Sequence, residues 1–268
     1  MKTFYNPLIL TLIISLFISC EKEDSLSTSF PYSYLDESDF IRNGLIGYYP
    51  FNGDTKDYSG NENDAIASNP TFTVDRYNYS TGAIQFNGID DFLLIPNFGK
   101  LLADNEGTIV IWSKIDTPYM TYNQPKSVVL SIVDSINASF LLTSRMGTLG
   151  YSYGMYPELS SGSVTSSVNK EGFNLFILTF NDSSITKYYY TNEQYMQYSI
   201  TNPKYSFGFN EDRKNQDLYL GKSIIDTFVS GTFDNYFTYF KGDIDDLLIY
   251  NRVLTEDEIT YLFNLAEN

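Results

Sequence analysis

From residue 45 onwards, apolar positions come in short runs, each cut off by Gly, Asn, Asp or Pro. Residues 45–51 stop at Asn52-Gly53-Asp54, residues 83–86 at Asn87-Gly88, and residues 92–95 at Pro96. Asn-Gly and Asp-rich dipeptides accept the left-handed backbone of tight turns, so each stop reads as a reversal between strands. Residues 108–113 are mostly β-branched, and strand-like runs continue at 127–133, 140–143, 175–180, 185–190, 218–220 and 243–250. Many short strands with frequent turn signals predict an all-β sandwich or barrel. No fixed-period repeat is present, which disfavours propellers and solenoids.

One helix is expected, near the C-terminus. Thr255 and Glu258 have the spacing of a capping box, in which each side chain satisfies the other's backbone N–H. Ile259, Leu262 and Phe263 then form an apolar stripe one helical turn long.

The N-terminus has a different pattern. Residues 8–18 (LILTLIISLFI) are a short, mostly apolar run behind Lys2. As a helix it would rise only about 16 Å, against a hydrocarbon core of about 30 Å. A removed export signal fits better than a membrane span. The run ends in Phe17-Ile18-Ser19-Cys20, which resembles a bacterial lipobox and makes Cys20 the expected lipidation site. Acyl chains there would hold the protein to a lipid bilayer without a spanning segment. Glu21-Lys22-Glu23-Asp24 resembles the surface-export signal of Bacteroidetes lipoproteins, and equally suits a solvated tether. The expected organisation is a signal peptide at 1–19, lipidated Cys and linker at 20–43, and one domain at 44–268. The expected location is the cell envelope, as a surface-exposed outer-membrane lipoprotein.

Composition narrows the chemistry. Tyr (24) and Phe (20) greatly outnumber Trp (1), which favours sheet. A net charge of -16 repels phosphate, so nucleic acid is not an expected partner. There is no His, which removes His-dependent triads and the usual zinc sites. Cys20 is the one Cys, so no disulfide forms within the chain.

Three segments carry a family resemblance: 44–60 (GLIGYYPFNGDTKDYSG), 84–92 (IQFNGIDDF) and 242–258 (GDIDDLLIYNRVLTEDE). In order over residues 44–264, they resemble laminin G-like domains of the concanavalin A-like lectin/glucanase superfamily. The resemblance implies an antiparallel β-sandwich of the jelly-roll type and a structural Ca²⁺. Strand alternation would put Asp245 on the face of Leu247 and Ile249, where a buried acid needs a counter-charge. Asp245 is therefore the first expected metal ligand, with Asn52, Asp57 and Asp90 from the early turns. Residues 114–127, 145–170 and 191–217 depart from the family pattern and read as rim insertions.

The Glu-x-Asp-x-x-Glu signature of glucanases on this fold is missing. Glu37-x-Asp39 and Glu62-x-Asp64 lack its last acid, and Glu256-Asp257-Glu258 has helical spacing. The chain therefore reads as a non-catalytic module binding a glycan or glycoprotein, rather than as a hydrolase. Tyr151 and Tyr153 share one face of a strand and are the expected sugar platform. The alternative is an adhesion lipoprotein that contacts proteins and has no sugar affinity.

Overall fold

The computed structural model describes residues 39–102, 106–116, 126–133, 138–145, 148–153, 160–163, 171–191, 194–201, 215–222 and 237–267. Cys20, the export signal and the linker up to residue 38 lie outside the described residues. No helix among the described residues is long and apolar enough to cross a membrane.

The strands form two sheets. The first runs, in spatial order, β13 (Gln194–Thr201), β12 (Ser184–Thr191), β11 (Asn174–Phe180), β6 (Gly107–Ile115), β16 (Lys241–Tyr250), β4 (Ala83–Asn87) and β3 (Thr71–Thr73). Strand β1 (Leu45–Tyr49) also pairs with β16. The second runs β10 (Ser160–Ser163), β9 (Thr148–Tyr153), β8 (Ala138–Arg145), β7 (Lys126–Val133), β14 (Asp217–Leu220), β5 (Phe92–Ile95) and β2 (Ile66–Ser68). Strand β15 (Phe237–Tyr239) joins β7 in parallel, and the other described pairs are antiparallel. Strands β9, β10 and β13 occupy segments expected to be rim insertions. They extend both sheets instead.

Alternation divides the first sheet into two apolar faces. Ile109, Ile111, Phe176, Leu178, Leu247 and Ile249 point inward and meet Val129, Leu130, Ile132, Leu218 and Leu220 of the second sheet. Val110, Trp112, Leu175, Ile177, Leu248 and Tyr250 point outward. Helices cover part of that outer face: α1 (Asp39–Arg42) through Ile41, and the C-terminal α3 (Glu256–Glu267) through Ile259 and Leu262. A third short helix, α2, spans Phe98–Leu101. Ile41 falls in the expected linker, yet it is fully buried, so the folded unit starts before residue 44.

The capping box forms as the spacing requires. The Glu258 N–H donates to Thr255 Oγ1 at 3.3 Å, and the Thr255 N–H donates to Glu258 Oε2 at 2.7 Å. Arg252 adds a bidentate ion pair to the same carboxylate. Burial opposes the Glu258 charge, but Arg252 and Thr255 outweigh it and hold the carboxyl below its ordinary range. Thr255→Ala should therefore destabilise the domain by about 1 kcal/mol. A thermal melt should show a fall of roughly 2–4 °C, and an unchanged midpoint would mean the cap contributes nothing.

Candidate functional site

A cleft of about 540 Å³ opens on the outer face of the first sheet, where the helices leave it uncovered. Its walls are residues 73–76 and Asn78 on one side and 171–173 on the other, with Trp112, Lys114 and Asp243 between them. These positions follow from strand parity. Trp112 and Lys114 share the outward face of β6, and Asp243 of β16 stands opposite Lys114 in register.

The wall at 74–82 is built around Asp75. Its Oδ1 accepts N–H bonds from Tyr77 and Tyr79, both at 2.8 Å, and its own N–H reaches the Tyr79 carbonyl. Gly82 packs so closely that a Cβ would lie 2.3 Å from Asp75 Oδ2. Burial raises the Asp75 carboxyl above its ordinary value despite these bonds. The loop delivers Arg76 to the floor of the cleft. Its guanidinium lies 4.4 Å from the Trp112 ring centroid and 4.5 Å from that of Tyr77. It also pairs with Asp245 at 2.5 Å and with Asp246 at 2.6 Å.

This arrangement corrects the expected orientation of Asp245. Ile244 pairs with Ser113 and Leu247 with Ile111, so Asp245 and Asp246 together oppose the single residue Trp112. That is a β-bulge, and it breaks the two-residue alternation on which the expectation rested. Both acids reach Arg76 on the Trp112 side, while Leu247 and Ile249 keep to the interlayer. Burial pushes the Asp245 carboxyl well above the ordinary carboxylate range, against the pull of Arg76.

The other expected metal ligands belong to separate networks. Asp57 organises the loop after β1, accepting N–H bonds from Tyr48, Ser59 and Asn63. Asp90 accepts from the Asn87 side chain in the next turn. Asn52 sits half-buried beside Gly53, whose N–H closes a turn onto the Phe51 carbonyl. Among the described residues, no group of three or more Asp, Glu, His or Cys side chains is placed to hold a metal ion. The proposed donor set therefore does not fit a shared Ca²⁺, and Arg76 supplies the positive charge that Asp245 requires. Arg76 was missed in the sequence because it lies in a loop without periodicity. Two adjacent acids inside an apolar strand were the signal that a cation had to come from elsewhere.

Tyr151 and Tyr153 lie on β9, in register with Leu142 and Phe140 of β8. Their side chains lie outside the described residues.

A family model described as the concanavalin A-like lectin/glucanases superfamily (Laminin_G_3) matches residues 86–260. The chain belongs to this family. The sandwich and the C-terminal helix of this laminin G-type domain agree with the fold expected from its sequence. No curated protein matches the sequence. Solved structures of similar fold include the binding domain of Paraclostridial Mosquitocidal Protein 1, with TM-score 0.61 and 15% identity. That match covers 85% of this chain and 53% of the other. Domain 4 of AbnA, a GH43 extracellular arabinanase from Geobacillus stearothermophilus, was solved with arabinotriose. It has TM-score 0.56 and 20% identity over 81% of this chain and 97% of its own. The binding domain of botulinum neurotoxin DC in complex with SialylT has TM-score 0.58 and 15% identity, over 84% and 52% of the two chains. The laminin G-type chain thus spans about half the length of the two toxin chains, and at these identities the likeness is one of fold.

Proposed function

We propose that this protein is a non-catalytic binding module whose cleft beside Trp112 takes a glycan or a glycan-bearing partner. The cleft itself carries the proposal. Its volume of about 540 Å³ lies in the ordinary range for small-ligand sites. The Asn78 backbone N–H donates to the Asp75 carbonyl, while the Asn78 side-chain amide and the Lys114 ammonium make no hydrogen bond or salt bridge among the described residues, which leaves those donors for a ligand. Asp243 accepts one bond from Gln85 at 3.1 Å and keeps a second oxygen. Adjacent donors and acceptors of this kind suit the hydroxyls of a sugar. Two proteins of the same fold were solved with arabinotriose and with SialylT, which supports a glycan over other small ligands. The missing glucanase signature supports binding without hydrolysis. The lipobox-like segment ending at Cys20 supports lipid anchoring at the cell envelope, and the charged cluster at residues 21–24 supports exposure on its outer surface.

Glycan-array screening followed by titration calorimetry tests the proposal. Lys114→Ala should weaken binding of a captured glycan about tenfold, the loss expected for one hydrogen bond to a charged group. Its melting temperature should match that of the native chain. Loss of binding in Tyr151→Ala but not in Lys114→Ala would move the site to β9. A blank array together with capture of a protein partner would favour the adhesion reading.

A further inference from the structure

Building on the glycan reading of the cleft, we infer that it selects neutral glycans and rejects those bearing carboxylates. Asp75, Glu171 and Asp243 line the cleft, and Asp246 lies directly behind its floor beside Asp245, whose carboxyl burial pushes toward its neutral form. Two cations stand against them, Arg76 and Lys114. Arg76 is not available to a ligand acid. Both of its terminal nitrogens are held by Asp245 and Asp246, two aromatic rings flank its plane, and its side chain is 8% exposed.

That leaves Lys114, which faces Asp243 across the β6–β16 pair. Burial raises the Asp243 carboxyl above its ordinary value despite the Gln85 hydrogen bond and the pull of Lys114, and the nearby Asp116 adds to the rise. A ligand carboxylate beside Lys114 would compete with Asp243 for that one charge and sit among acids at short range. The net charge of -16 adds a repulsive field at long range. A neutral sugar meets no such penalty. One hydroxyl can accept from Lys114 Nζ or the Asn78 amide while its neighbour donates to Asp243, as a vicinal diol allows. Neutral arabinotriose is nearer to this chemistry than a sialylated glycan.

The test uses an array of neutral glycans beside the same cores carrying sialic or uronic acid, followed by calorimetry on each captured pair. The acidic member should bind at least about tenfold more weakly than its neutral core. Asp243→Asn and, separately, Glu171→Gln should narrow that ratio, as should added salt. Glu171 is exposed, so its variant keeps the test open even if Asp243→Asn unfolds. Acidic glycans binding as tightly as their neutral cores would overturn the selectivity and leave glycan binding intact. An array with no captured glycan, or binding that ignores both Lys114→Ala and Asn78→Ala, would overturn the glycan reading as well.

Discussion

Replacing Arg76 with Met should cost about 3–5 kcal/mol of folding stability, the range for removing one partner of a buried ion pair. The native guanidinium neutralises Asp245 and Asp246, which are 3% and 4% exposed. Without it, two carboxylates remain out of water with no cation to face. The stack on Trp112 and Tyr77 goes as well, leaving a gap in the cleft floor. In urea titrations the midpoint should fall sharply, and heating should show a drop of roughly ten degrees. The deficit should grow with pH. Asp245 has a folded-state pKa raised above its unfolded value, so its protonated form is favoured in the fold. Stability is lost as pH rises through that folded value, and removing Arg76 raises it further. Converting Asp245 and Asp246 to Asn in the Arg76→Met background should recover most of the loss. The recovery should be the same with or without Ca²⁺. A loss below about 1 kcal/mol would mean that the pair is solvated and the bulge does not bury it.

The second large effect concerns Lys187. Alternation along β12 puts Lys187 between Ile185 and Tyr189 on the interlayer side, and it is fully buried. Burial lowers its pKa from the ordinary value of 10.5 to about 7. Between those values the unfolded chain holds a proton that the folded chain has released. Stability should therefore rise with pH across that window, by roughly 1.4 kcal/mol per pH unit, and be flat below it. Lys187→Met removes the ionisation while keeping an unbranched apolar side chain. At pH 7 the variant should be more stable than the native chain by a few kcal/mol, with the gap shrinking towards pH 9.5. Urea unfolding of both proteins at several pH values measures this. A gap that does not change with pH would show that Lys187 titrates normally.

The strand runs, their turns and the capping box at Thr255 were legible because each depends on neighbours in sequence. Asn52-Gly53 and Asn87-Gly88 do form turns, with Gly53 and Gly88 at positive φ. The site was harder to read. A single bulge residue changes parity, so Asp245 reversed face while Leu247 and Ile249 kept theirs. Arg76 meets its acids across 169 residues, and no local pattern reports a contact of that span. Strand β10, with the sequence SSGS, has no apolar alternation, because its place in the sheet comes from backbone pairing with β9. Lys187 was readable in principle, since its apolar neighbours two residues away fix its face. The Asp57 loop looked like a cation site because a carboxylate that gathers backbone N–H groups resembles, in sequence, one that gathers a metal.

The chain has a single Trp, and the structure puts it at the floor of the cleft. Its indole Nε1–H is buried with no protein acceptor among the described residues. Titrating a captured glycan while following the lone indole N–H signal by ¹⁵N NMR therefore reads the cleft directly. The indole signal should move progressively and saturate with the calorimetric affinity, and Lys114→Ala should shift that curve to higher ligand concentration. Saturable glycan binding that leaves the Trp112 signal unmoved would contradict the cleft as the binding site.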